Sequence, residues 1–138
     1  WTPALNFGVG GRISPDWIPE EDVRTGLYVR LARIARLGDL EAFEEELTDR
    51  FGEVPDDARD LLALARLRLL ARDAQVDRID AGPAAIALTP RGRFAGDPAA
   101  CGLEESKGRL LLREAIAAPH DRLLRAEAIL AELATEET

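Results

Sequence analysis

The stretch from Phe43 to Leu70, FEEELTDRFGEVPDDARDLLALARLRLL, constrains the chain most, because one amphipathic helix stops there at a glycine and another starts at a proline. Leu40, Phe43, Leu47 and Phe51 recur at i, i+3, i+7 and i+11. That spacing puts them on one helical stripe with Glu44, Glu45, Glu46 and Asp49 turned away. Asp39 is a suitable N-cap residue for this helix. Gly52 can adopt the backbone conformation that closes it, and Pro55 has the fixed φ of a first helical position. Asp56 and Asp57 then fall in the next first turn, where carboxylates meet the positive end of the helix dipole. From Pro55 to about Asp73 the apolar positions Ala58, Leu61, Leu62, Ala65 and Leu69 share a face, and Leu67 and Leu70 broaden it. This third helix is expected to be the central, most buried one.

The elements around that corner follow in order. Pro3 to Val9 (PALNFGV) suggests a short strand, broken by Gly8, Gly10 and Gly11. A dinucleotide-type G-x-G-x-x-G pattern would need glycine where Ile13 stands, and no phosphate-loop lysine follows. Ser14-Pro15-Asp16 is turn chemistry, and Pro19 with Glu20, Glu21 and Asp22 opens a helix. Val23, Leu27, Leu31 and Ile34 give it a buried stripe, and Gly38 is expected to end it. After the third helix the period drops to about 2: Val76 to Ile79 and Ala85 to Leu88 read as strands of an antiparallel hairpin through Gly82-Pro83. Arg91 to Gly102 is expected to be a mobile loop with a short helical turn. Arg109 to Ile116 fits strand or helix on propensity, and Pro119 opening a new helix favours strand. The last helix, Pro119 to about Ala134, packs Leu123, Ala126, Leu130 and Leu133. These elements predict one α/β (α+β) domain over residues 1–138. It has an N-terminal strand and turn (1–18), a helical part (19–74), and a hairpin, strand and helix (75–135). A small antiparallel sheet of three to four strands packs with about four to five helices.

Composition limits the function. The length supports one real core. A net charge of −8 argues against a stand-alone nucleic-acid binder, which needs surplus Lys and Arg on one face, so the expected partners are proteins. No apolar run is long enough to cross a membrane, and no secretory signal pattern is seen, so a cytoplasmic setting is expected. The single cysteine, Cys101, cannot form an internal disulfide. The chain begins at Trp1 and contains no methionine, as expected of a piece of a longer polypeptide.

The succession Ile13-Ser14-Pro15-Asp16-Trp17-Ile18-Pro19, then Arg24 and Leu27-Tyr28-Val29-Arg30-Leu31, then Glu46-Leu47-Thr48-Asp49-Arg50-Phe51-Gly52-Glu53-Val54-Pro55 resembles the C-terminal domain of bacterial transcription-repair coupling factor. The resemblance runs from about Ile13 to Ile79, and the string from Glu46 to Pro55 is its specific part. The family usually carries proline at the position of Ser14 and tyrosine at that of Trp17. This chain also reads as shortened between Leu88 and Arg109. The resemblance implies a non-catalytic regulatory domain at the end of an ATP-dependent DNA translocase of transcription-coupled excision repair. In that family it folds back on another module of the parent chain and hides the surface that recruits the damage-recognition ATPase. Its partners would be other domains of the parent and, indirectly, that ATPase and RNA polymerase. No cofactor, metal or catalytic residue is implied.

The family-motif residues Trp17, Pro19, Arg24, Tyr28, Arg30, Asp49, Arg50, Phe51, Gly52 and Pro55 are read as structural. Asp49-Arg50 could be a recognition pair, but a local salt bridge at a helix end is the plainer account. Trp17 and Tyr28 could anchor a partner, but packing with a hydrogen-bonded polar tip is favoured. His120 and Cys101 are the only residues of their kinds, which excludes a Cys/His zinc site. His120 is expected to be solvated. Glu44-Glu45-Glu46 fan over about 200° of a helix and cannot converge on one cation. Two other classes stay open: a small acid/base enzyme, for which no carboxylate pair is supplied, and a stand-alone adaptor of the repair or transcription machinery.

Overall fold

The structure, a computed structural model, describes residues 1–92 and 97–136, with side chains through residue 133. Its elements are β1 (Ala4–Asn6), α1 (Glu21–Arg33), α2 (Leu37–Phe51), α3 (Asp56–Asp73), β2 (Val76–Ala81), β3 (Ile86–Pro90), a 3-10 turn (Pro98–Cys101), β4 (Glu104–Ser106), β5 (Arg109–Leu112) and α4 (Pro119–Glu136). The α+β architecture is as read from sequence, with five described strands in the order β1-β2-β3-β5-β4.

Helix α3 organises the molecule because it is apolar on two sides. Leu62, Ala65 and Leu69, at i, i+3 and i+7, pack with Leu27, Leu31, Leu40, Phe43 and Leu47 of α1 and α2. Leu67 and Ala71, at i and i+4, face a second cluster with Ile79, Leu88 and Leu110 of the sheet and Leu123, Ile129 and Leu130 of α4. Each fully buried Leu or Ile contributes about 1.5–3 kcal/mol. Losing α3 would therefore uncover both cores together.

The sheet closes the second core. Ile79 of β2 lies opposite Leu88 of β3, and Leu88 opposite Leu110 of β5, so one row of buried aliphatic side chains crosses three strands. The Gly82-Pro83 hairpin forms as expected. Strand β1 pairs parallel with β2, Leu5 opposite Ile79, so the sheet is mixed where an antiparallel one was expected. All three of α1, α2 and α3 lie between β1 and β2 in sequence, which is the long crossover a parallel pair requires.

Three local features differ from the sequence reading or add to it. Helix α1 ends at Arg33, before Gly38, which lies inside α2. Asp39 therefore sits in the first turn of α2 and Arg36 occupies the N-cap position. Pro55 is likewise the N-cap of α3, and Asp56 its first residue. The third is β4, which pairs with β5 through a turn in which Lys107 (φ 51°) and Gly108 (φ 79°) both take positive φ. Such a two-residue turn matches the twist of a hairpin. Of the expected loop from Arg91 to Gly102, the 3-10 turn is present, and residues 93–96 lie outside the described residues.

Candidate functional site

The motif residues assemble at the corner between the Ser14–Pro19 turn, α1, α2 and the start of α3. Glu46 is its electrostatic centre. It projects from the polar side of α2, where Arg30 of α1 reaches it with both guanidinium branches, Nη1 to Oε2 at 2.6 Å and Nη2 to Oε1 at 2.7 Å. Arg50, one turn further along α2, adds Nη1 to Oε2 at 2.9 Å. Hydrogen bonding by Arg30 and then Arg50 outweighs desolvation and holds the Glu46 carboxyl at about 2, below its ordinary 4.5. The same guanidiniums lie over aromatic rings, Arg30 over Phe43 at 5.1 Å and Arg50 over Phe51 at 4.7 Å.

The neighbouring turn is held by aromatic tips. Trp17 Nε1 donates to the Phe51 carbonyl at 3.0 Å, and the two rings meet edge to face with centroids 5.9 Å apart. The Tyr28 hydroxyl oxygen accepts from the Ile13 amide at 2.7 Å. Arg24 donates to the carbonyls of Ile18 and Pro19, which carry the chain from the turn into α1. Gly52 takes φ 80° and returns its N–H to Thr48 O. Pro55 then caps α3, its carbonyl accepting from the Arg59 amide.

The motif positions are thus brought together, with two differences from the sequence reading. Arg50 pairs with Glu46 at i−4 rather than with its neighbour Asp49. Asp49 stays exposed and borders, with Glu41, Glu44, Glu45 and Thr48, an open depression of about 530 Å³ on the outer face of α2. Tyr28 is also more exposed than a core residue, although its hydroxyl is satisfied.

A second depression, about 520 Å³, lies between the end of α2, α3 and α4, with Val54 and Leu62 on its floor. Its wall is Arg66, which pairs with Glu44 of α2 at 3.2 Å and approaches Glu41 at 3.8 Å and Glu127 of α4 at 3.7 Å. Sequence reading missed Arg66, because its three partners lie at no helical spacing from it. Glu46 was legible in part, since Glu46 and Arg50 stand at i,i+4. The Glu44-Glu45-Glu46 run does fan apart, Glu46 toward Arg30 and Glu44 toward Arg66. His120 is exposed, and its Nδ1 lies 2.8 Å from Asp60 Oδ1, joining the first turn of α4 to α3. The paired carboxylates at this corner are committed to arginines, an arrangement suited to holding a shape and presenting charge.

A model of the TRCF domain family matches residues 7–99. The chain belongs to this family. The match contains the whole motif corner and both sides of α3. Among similar proteins, the transcription-repair-coupling factor of Mycobacterium tuberculosis is 38% identical over 87 residues, which is 62% of this chain and 7% of that protein. That of Escherichia coli K12 is 40% identical over 65 residues, 47% of this chain and 6% of that one. The TRCF domain described here thus corresponds to a small fraction of those relatives' length. Its fold matches a crystal structure of the C-terminal domain of transcription-repair coupling factor with a TM-score of 0.78 at 21% identity, covering 99% of this chain and 96% of that one. The fold likeness extends through β4, β5 and α4, beyond the reach of the family model. Among the described residues, no helix is long and apolar enough to cross a membrane.

Proposed function

We propose that this TRCF domain is a non-catalytic regulatory module of an ATP-dependent DNA translocase in transcription-coupled repair. It acts by docking on another module of its parent chain and masking the surface that recruits the excision-repair damage-recognition ATPase. RNA polymerase and that ATPase are its indirect partners, and the setting is cytoplasmic. One observation carries the reading: the most family-specific residues are spent internally. Glu46, Arg30, Arg50, Trp17 and Phe51 bond to one another and stiffen the corner, while Glu41, Glu45 and Asp49 remain exposed on the outer face of α2. A rigid acidic helix face suits recognition of a basic or mixed protein surface, where complementary charge sets register and encounter rate.

The test deletes the domain from the full-length protein and measures binding of the damage-recognition ATPase to the remainder. Binding is expected to strengthen on deletion and to weaken again when the domain is added in trans at high concentration. Unchanged binding in both measurements would overturn the lid reading and favour a stand-alone adaptor.

A further inference from the structure

The acidity of the chain is not uniform. Most guanidiniums whose partners are given above answer a carboxylate, yet Arg33, Arg36, Arg68, Arg72 and Arg91 form no ion pair among the described residues. Arg24, Arg109 and Arg122 also lack one, but Arg24 and Arg122 donate to backbone carbonyls, whereas Arg33, Arg68 and Arg72 meet where α1 and α3 both finish and Arg91 reaches Trp1 of the N-terminal segment beside them. Arg33, Arg68 and Arg72 line one cavity of about 140 Å³ together with Trp1, Ile34 and Leu69, and no carboxylate lines it. Arg68 is steadied by donating to the Leu31 carbonyl at 3.4 Å. At the N-terminal segment the Arg91 guanidinium lies 4.2 Å from the Trp1 ring centroid, yet Trp1 keeps 43% of its surface exposed. The nearest acidic residues in sequence are Asp39, across the neighbouring cavity shared with Arg33, and Asp73, beside Arg72.

Arginines in the last turns of helices have a plain role, since they offset the negative end of the helix dipole. That accounts for Arg33 and Arg72 singly. It does not account for three arginines lining one cavity that no carboxylate lines, with the partly exposed Trp1 among the same lining residues. Like charges brought together in this way repel, and an anion in the cavity relieves the repulsion.

We propose that this arginine cluster is a contact site for the phosphodiester backbone of single-stranded nucleic acid. Planar guanidinium forks match phosphate oxygens. An exposed aromatic ring beside them supplies the stacking surface that single-strand sites combine with positive charge. A carboxylate-rich protein segment would also satisfy the arginines but has no use for the indole face. The net charge of −8 does not forbid the contact, because a phosphate senses charges within roughly one Debye length, about 8 Å at physiological salt. It does limit the footprint to a few nucleotides. This goes beyond the regulatory reading, and the site lies apart from the acidic face of α2.

The test uses the 138-residue chain, with fluorescence anisotropy of a labelled short oligothymidylate at low ionic strength. Three phosphate contacts predict a log–log salt slope of about −2. Arg33→Gln with Arg72→Gln is expected to weaken binding at least tenfold while the thermal melt stays cooperative and its midpoint falls by only a few degrees, about what two lost dipole contacts allow, and Arg113→Gln on β5's flank is expected to leave binding unchanged. In a Trp17→Phe background, stacking is expected to quench the remaining Trp1 emission. Several results would overturn the proposal: no binding at low salt, equal loss in the Arg113 variant, or a flat salt slope. A polyglutamate peptide that binds more tightly than the oligonucleotide would assign the cluster to an acidic protein segment. Complete displacement of the oligonucleotide by millimolar inorganic phosphate would reduce it to a site for free phosphate.

Discussion

Trp17 Nε1 donates its hydrogen bond to the carbonyl of Phe51, the last residue of α2, so the turn before α1 is fastened to the far end of the next helix. Trp17→Phe keeps most of the ring and deletes the donor. The loss is expected to be about 1 kcal/mol, the usual net worth of one hydrogen bond. Trp17→Ala also removes the edge-to-face contact and should cost distinctly more. Urea melts check both, with the midpoint falling and the slope constant if the fold stays two-state.

Leu47 and Phe51 share the inner stripe of α2, but only Leu47 is fully buried; Phe51 is half-buried under Arg50. Leu47→Ala is expected to cost about 2–5 kcal/mol, the core range. Phe51→Ala should fall below the roughly 3–5 kcal/mol of a fully buried phenylalanine. A Phe51→Ala loss exceeding that of Leu47→Ala would contradict the burial order.

Gly11 is required where Gly10 is not. A Cβ at Gly11 would lie 2.3 Å from the Leu61 amide nitrogen of α3, and φ there is +68°, whereas one at Gly10 meets nothing within 4 Å. The neighbouring Arg12 amide donates to Asp57 O, so the loop cannot swing away without losing that bond. Gly11→Ala is expected to destabilise by more than about 1 kcal/mol, combining backbone strain with overpacking, and Gly10→Ala to stay within about 0.5 kcal/mol. Paired thermal melts decide it.

Glu46 gives the fold a specific acid sensitivity. Its carboxyl is held at about 2 against an ordinary 4.5, so the folded state favours the ionised form. The stabilisation is complete above about 4.5 and fades as pH falls toward 2. The pair is substantially solvent-exposed, so its worth is of the order of 1 kcal/mol or less. Glu46→Gln is expected to lower stability at pH 7 and to converge with the parent only as pH falls through about 2. A constant difference across that range would remove Glu46 from the acid response.

These residues also show what a sequence can and cannot disclose. The corner was legible because its signals are local: the α2 stripe, Gly52, Pro55 and the acidic first turn each constrain neighbouring backbone. The centrality of α3 was legible in the number of its apolar positions, and the assignment of Leu62, Ala65 and Leu69 to one core and Leu67 and Ala71 to another became clear once partners were placed. Strand β4 escaped because Glu104 and Glu105 are both exposed, which leaves no alternation to detect. The parallel pairing of β1 depends on Leu5 meeting Ile79 across three helices, a contact no local pattern encodes. Arg66 and the cluster around Arg68 are likewise products of tertiary packing, invisible in a chain where arginine is common.

The regulatory reading makes a quantitative demand on affinity. A lid that must open cannot bind its seat too tightly, because a ligand shifts the equilibrium only by its differential affinity for the open and closed states. Tethering relaxes the demand: a short flexible link supplies an effective concentration in roughly the millimolar range, so an intrinsic Kd of about tens of micromolar still keeps the lid mostly shut. The domain added in trans to the deleted parent is therefore expected to bind in about that range. Because Glu41, Glu45 and Asp49 are exposed, contacts made through them are screened, and affinity should fall as salt rises. Glu45→Lys with Asp49→Lys should weaken docking without lowering stability, since neither carboxylate makes an ion pair among the described residues. Calorimetric titration of the parent's remainder with each form measures this. Nanomolar, salt-independent binding that survives the double substitution would mean that the domain is a fixed structural part of its parent, and its removal would then change stability rather than recruitment.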